Sequence, residues 1–178
     1  SCGIKAKKIK DLALIVSDVP ATVAGVFTKN RVVSPAVTWS RRALEKSDRC
    51  RAIIVNSGNA NAVVGPKCMK DCDAITTKIS EELSIPQKEV LIASTGVIGV
   101  PLPSDKILKA APELVKKLRR TAKNWVDAAE AIMTTDLVLK SDRIQYTFQG
   151  KRISLGGITK GSGMIHPTMA TMLGFLYT

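Results

Sequence analysis

Short apolar runs of strand length alternate along this chain with segments of helical period. That alternation narrows the fold class before any other property is weighed. Residues 12–16, 24–28, 52–56, 90–93, 137–140, 144–148 and 152–155 read as strands, and Gln149-Gly150-Lys151 between the last two reads as a hairpin turn. Cys72, Ile75, Ile79 and Leu83 form one stripe at helical spacing, stopped by Ile85-Pro86. Ser104 is placed to cap a helix over 105–111, Pro112 to open a second one as far as Leu118, and Asn124, with Asp127 three residues on, to cap 125–133. Strands interleaved with helices predict a mixed α/β class.

Composition bounds the function classes. The chain has 178 residues, 45% hydrophobic and 24% charged, which suits one domain or part of a larger one and argues against disorder. No apolar run approaches the roughly 20 residues of a bilayer span, and the lysine-rich start lacks the apolar core of a secretory signal. The single histidine, His166, excludes a zinc site built from two or three imidazoles of this chain. Cys2, Cys50, Cys68 and Cys72 contain no Cys-x-x-Cys pair. Cys68 and Cys72, one helical turn apart, read as small apolar helix residues, with a metal or redox pair as the lesser alternative because the usual ligand spacing is absent, and an intracellular, reducing setting is expected. The net charge of +12 raises the question of nucleic acid, but aromatics are only 4% and none interleaves the basic clusters. The cluster Lys116, Lys117, Arg119, Arg120 and Lys123 reads as a solvated helix face, and the excess charge suits steering of anionic substrates.

Three polar, glycine-containing segments could carry chemistry. Asn56-Ser57-Gly58-Asn59-Ala60-Asn61-Ala62 follows a strand, so it is either an Asn/Gly turn or a loop where backbone and ligand approach closely. Ser94-Thr95-Gly96-Val97-Ile98-Gly99 also follows a strand and could aim backbone N–H groups at one point, as in an oxyanion hole or phosphate nest. It lacks the Gly-Lys-Ser/Thr of a Walker loop. The third runs from Gly156 through Lys160-Gly161-Ser162-Gly163 to Leu173, too apolar at Met164-Ile165 and 169–173 for a linker. A Ser162–His166 catalytic pair there lacks the strand–turn–helix setting of a nucleophile elbow.

These segments, with Thr134-Thr135-Asp136 and the N-terminal stretches Gly3-Ile4-Lys5, 11–14 and 24–28, occur in the order and spacing of the ornithine acetyltransferase family, the bifunctional glutamate N-acetyltransferases of arginine biosynthesis, which the chain resembles over nearly its whole length. The resemblance implies a mixed-sheet α/β sandwich of the self-processing N-terminal-nucleophile aminopeptidase/ornithine acetyltransferase type, completed by a second chain. It implies a precursor that cuts itself between Ala170 and Thr171. Residues 1–170 would be the first (alpha) chain, and 171–178 the start of the second (beta) chain. Because 171–178 reads as the opening of a buried element, the sequence is expected to be a piece of a longer protein, unable by itself to complete acetyl transfer.

The family's roles fall on named positions. Thr171 would be the nucleophile, its freed α-amino group acting as base. Thr95 and Gly96 would form the oxyanion hole, and Thr134, Lys160 and Thr171 would bind substrate. The implied reaction moves acetyl from N-acetylornithine to glutamate through an acetyl-Thr171 ester. It needs no metal or cofactor, although acetyl-CoA is a possible alternative donor. The implied partners are the beta chain in an alpha2beta2 heterotetramer and these small molecules, without nucleic acid or membrane. The expected compartment is the cytoplasm, or the mitochondrial matrix in a eukaryote. Two other readings stay open: a self-processing aminopeptidase or amidase, in which water is the acceptor, and a basic binding module with no cut at Ala170–Thr171.

Overall fold

The computed structural model describes residues 1–6, 9–162 and 172–178. Sheet A has three strands in the order β1 (Leu12–Thr22), β2 (Arg49–Asn59), β3 (Val90–Val97). β1 and β2 run antiparallel with Leu14 opposite Ile54, and β2 and β3 run parallel with Ile54 opposite Ile92. The parallel pair needs a crossover, supplied by helix α2 (Lys67–Leu83) and a 3₁₀ turn at Gln87–Glu89. The remaining helices are α1 (Pro35–Lys46), α3 (Ser104–Lys116) and α4 (Ala122–Ile132). Sheet B is β4 (Lys140–Phe148), β5 (Lys151–Lys160) and β6 (Leu173–Tyr177), antiparallel throughout.

Sheet A is buried on both faces, which is why its strands read as continuous apolar runs. Leu12, Leu14, Ala52, Ile54, Val90 and Ile92 pack against Ala36 of α1, Cys72, Ile75 and Ile79 of α2, and Ile107 and Ala111 of α3. On the opposite face Ala13 and Val55 meet Ala129, Ala131 and Ile132 of α4 and Ile158 of β5. This second core brings the end of β5 to the end of β3. Glycines let β6 approach β5: a Cβ at Gly156 would lie 2.2 Å from the Tyr177 hydroxyl, and one at Gly157 would lie 2.6 Å from Leu176 Cδ2.

Several local expectations need correction. Residues 24–28 are not a strand: β1 ends at Thr22 and the chain then runs without regular structure to α1. α1 itself is not visible as a period in the sequence. It is set by its ends, with Ser34 Oγ accepting from Ala36 N–H and Pro35 at the first turn. Pro112 does not divide a helix. α3 runs through it, because the missing N–H costs one bond while Ile107, Leu108, Ala111, Leu114 and Val115 all pack on the core. Ser104 is the first residue of α3 and not its cap. Its hydroxyl donates to Asp71 Oδ1 at 2.7 Å. The cap of α4 is Thr121, whose Oγ1 accepts from Asn124 N–H at 3.1 Å. Asn124 sits inside the first turn and sends its amide to Lys117 O. Residues 137–139 precede β4, and β5 continues past Leu155 to Lys160. The hairpin is a two-residue loop with positive φ at Gln149 (+49°) and Gly150 (+74°), the geometry that matches strand twist.

The cysteines are free. Cys68 and Cys72 are core residues of α2, and burial pushes the Cys72 thiol up to about 12, so it stays protonated and inert. The basic face of α3–α4 is largely ion-paired: Lys117 with Glu113 at 3.2 Å, Lys123 with Asp127 at 2.8 Å, and Arg120 with Asp18.

Candidate active site

The end of sheet A is stitched by short polar side chains. β2 and β3 stay in register to Gly58 opposite Gly96, where a bulge begins. Gly96 has φ +131°, and a Cβ there would lie 2.3 Å from Gly58 C and 2.5 Å from Asn59 N. Only glycine lets the two strand ends come this close. Ser94 Oγ donates to Asn56 Oδ1 at 2.6 Å, and Asn56 Nδ2 donates to Asn59 O at 2.7 Å. Asn59 Nδ2 reaches Val100 O at 3.0 Å, Asn61 Nδ2 reaches Cys68 O at 2.9 Å, and Ser57 Oγ donates to Ala131 O of α4. The Asn/Gly segment is therefore scaffold. Its amides satisfy buried backbone carbonyls and brace the strand end that carries Gly96.

Onto this scaffold the fold brings Lys160, the last residue of β5. Its Nζ donates to Thr95 Oγ1 at 3.2 Å. Lys160 is 2% exposed and Thr95 7%. Burial lowers the Lys160 pKa. The charge of Asp136 opposes that, and Lys140 reinforces it. Lys5 adds a second cation close by: its Nζ donates to Met133 O at 2.5 Å and to Lys10 O at 3.0 Å, and its own pKa is lowered by burial. Thr134, half-buried after α4, lies two residues before Asp136, and its backbone helps to lower the Asp136 pKa. Asp136 Oδ1 accepts from Gly161 N–H at 2.8 Å and from Lys140 Nζ at 2.6 Å.

Of the residues expected to act, the structure brings Thr95, Gly96 and Lys160 to one place, and Thr134 lies two residues before Asp136, which accepts from Gly161 N–H. Ala170 and Thr171, like His166, lie outside the described residues. Leu173, two positions after Thr171 in sequence, pairs with Lys160 across β5–β6. An apolar recess of about 340 Å³, lined by Ile4, Gly58, Asn59, Val97, Val100 and Pro101, opens beside Gly96. A larger groove of about 560 Å³ lies over the face of sheet B and is lined by neither Thr95 nor Lys160. The chemistry, not the volume, marks the site. Sequence reasoning missed the part played by Lys5, Asn56, Ser94 and Asp136. For Asp136 a signal was present, in its place directly after Thr134-Thr135 and four residues before Lys140.

This α/β arrangement, with a lysine–threonine contact at a glycine-fixed strand end and a chain return through β6, is shared with known proteins. The structure superposes on that of the arginine biosynthesis bifunctional protein ArgJ from Bacillus halodurans with a TM-score of 0.89 at 40% identity, covering 95% of this chain and 87% of that one. It superposes on ornithine acetyltransferase from Mycobacterium tuberculosis, solved with ornithine, with a TM-score of 0.87 at 38% identity, covering 94% and 88%. In sequence it is 48% identical over 177 residues to the arginine biosynthesis bifunctional protein ArgJ of Caldanaerobacter subterraneus subsp. tengcongensis, covering 99% of this chain and 43% of that protein. It is 45% identical over 177 residues to the chloroplastic ArgJ of Citrullus lanatus, covering 99% and 38%. The ArgJ family model matches residues 1–178, and the chain belongs to the ArgJ family. It spans less than half the length of these two relatives. Among the described residues no helix is long and apolar enough to cross a membrane.

Proposed function

We propose that this chain supplies the first part of a self-cleaving glutamate N-acetyltransferase that takes acetyl from N-acetylornithine. The observation that carries the reading is the buried Lys160–Thr95 contact, which joins two of the family-like segments in one site. Thr171 Oγ attacks the Ala170 carbonyl and displaces its own nitrogen. Water then hydrolyses the resulting ester, and residues 1–170 part from a second chain that begins with Thr171. The free α-amine, with an ordinary pKa of about 7.7–8.0, takes the proton from the Thr171 hydroxyl. That hydroxyl attacks the acetyl carbonyl of N-acetylornithine, and ornithine leaves with the proton on its amine. The glutamate α-amine then attacks the acetyl ester and regenerates Thr171. Thr95 and Gly96 donate to the tetrahedral oxyanion, and such a donor typically lowers the barrier by roughly 2.7–4 kcal/mol. Lys160 pairs with the substrate carboxylate and Thr134 hydrogen-bonds the substrate.

This chemistry calls for no metal or coenzyme, and acetyl-CoA would serve only as an alternative donor. The second chain of the same precursor completes the site in an alpha2beta2 assembly in the cytoplasm, or in an organelle where the source is a eukaryote.

Intact mass of the complete gene product tests the proposal. Fragments ending at Ala170 and starting at Thr171 are expected, the latter gaining one acetyl group from N-acetylornithine and losing it to glutamate. Loss to water alone would make the protein a hydrolase. An uncut chain that is never acetylated would refute both, and Thr171→Ala should produce that behaviour.

A further inference from the structure

We propose that Asp136 is a positioning residue of this site: its carboxylate ties Gly161 to the turn after Thr134 and supplies the buried counter-charge that holds Lys160 against Thr95. The inference rests on the reading of Lys160 as the holder of a substrate carboxylate.

The geometry sets Asp136 apart from a surface aspartate. Its side chain is 3% exposed. Oδ1 accepts from the backbone N–H of Gly161, the residue directly after Lys160, and from Lys140 Nζ. Among the described residues Oδ2 is buried with no hydrogen-bond partner. A buried carboxylate oxygen left without a donor is costly, so its retention calls for a reason beyond tying a turn. Lys160, the residue directly before Gly161, carries a buried ammonium that burial alone would drive toward neutrality. Asp136 is the acidic group that opposes this. Lys140 on β4 and Lys5 on the N-terminal segment act against it, Lys5 through its repulsion of Lys160. Asp136 is itself held ionised although burial disfavours its charge. Lys140, the Gly161 N–H and the Thr134 backbone together outweigh burial and keep its pKa below the usual value. One carboxylate thus sets both the place of the Lys160 backbone and the charge at its tip.

The two roles separate by substitution. Asp136→Asn keeps an oxygen for Gly161 N–H and removes the charge, whereas Asp136→Ala removes both. Lys140 is partly exposed, and Lys140→Gln removes the competing cation together with its ion pair to Asp136 Oδ1, leaving the Gly161 N–H bond in place. The readout is titration of the Lys160 ε-carbon in the complete gene product labelled with ¹³C-lysine, its resonance assigned by its loss in Lys160→Arg. Asp136→Asn should move the Lys160 midpoint to lower pH, and Lys140→Gln should move it to higher pH. Steady-state assays with N-acetylornithine should show KM raised roughly tenfold in Asp136→Asn, as for a weakened charge-assisted bond, with kcat much less affected. Asp136→Ala should also slow self-cleavage.

An unchanged midpoint in both Asp136→Asn and Lys140→Gln overturns the proposal whatever the activity. So does a fall in kcat at constant KM. Should Asp136→Asn fail to fold, the direction of the Lys140→Gln shift decides alone: upward supports the proposal, unchanged or downward refutes it. A wild-type protein that shows the titration shifts but transfers no acetyl would refute the proposed function and leave the counter-charge role standing.

Discussion

At Gly96 the backbone sits at φ +131°, and any side chain would press on the Gly58 carbonyl carbon. Gly96→Ala therefore carries two penalties, a backbone conformation that L residues avoid and an overlap with a paired strand. It should lower unfolding stability by on the order of 3 kcal/mol, read as a shift in the denaturant midpoint at constant m-value. A change of m-value instead would mean that sheet A no longer forms. By contrast Gly65, Gly99 and Gly150 have open space where a methyl group would go, and only their positive φ argues against replacement. The polar side chains around Gly96 act chiefly by satisfying backbone carbonyls, so their value to the site is the rigidity they give to Thr95 and Gly96.

At the scale of elements, termini decide more than interiors. Ser34 starts α1 by accepting from Ala36 N–H, and the same hydroxyl donates to Ala60 O at 2.8 Å. It couples the helix start to the loop after β2. Ser34→Ala should cost about 1–2 kcal/mol, as for other caps, and lower the thermal midpoint without changing the fold. Retention of the full midpoint would show that Pro35 and the packing of Ala36 start α1 unaided. β5 and β6 depend on each other through Gly156, Gly157 and the Thr159 hydroxyl, which donates to Leu173 O at 2.8 Å. That pairing returns the chain to Lys160 after the segment that contains Ala170 and Thr171.

Across the whole molecule, the N-terminal segment is fastened by one buried carboxylate. Asp11 accepts from the backbone N–H groups of Cys2 (2.6 Å), Gly3 (2.9 Å), Ile4 (2.7 Å) and Lys5 (3.2 Å). Burial raises its pKa, but these four bonds together outweigh that and bring it below the usual 3.8. A carboxylate with a lowered folded-state pKa contributes stability that is complete above the unfolded value and fades as pH falls through the folded one. Stability should therefore drop on acidification below about pH 4, and Asp11→Asn should flatten that limb while costing about 1.5–3 kcal/mol at neutral pH. Unfolding curves from pH 2 to 7 check both. An unaltered acid limb in Asp11→Asn would show that other carboxylates govern it. Through Lys5, which donates to Met133 O, the same anchor reaches the turn that leads to Thr134 and Asp136.

Continuous apolar runs made β1, β2 and β3 readable and the helical period made α2 readable, because burial imposes those patterns, whereas the β4–β5 hairpin was readable from its turn residues although β4 is exposed throughout. α1 escaped notice because it buries little beyond Ala36 and Ser40 and starts from a cap. Residues 24–28 have strand composition but no strand to pair with, and pairing is not written in one segment. The segments that point to the ArgJ family, and within them Thr95, Gly96, Thr134 and Lys160, were legible as residue types in order. What only the tertiary structure decided is which of them meet. Lys160 and Thr95 are 65 positions apart, and Asp136 and Gly161 are 25 apart. Contacts at such distances depend on how two sheets pack around α4. Sequence order carries the chemistry of each residue, whereas burial against distant neighbours sets its charge, its partners and its place.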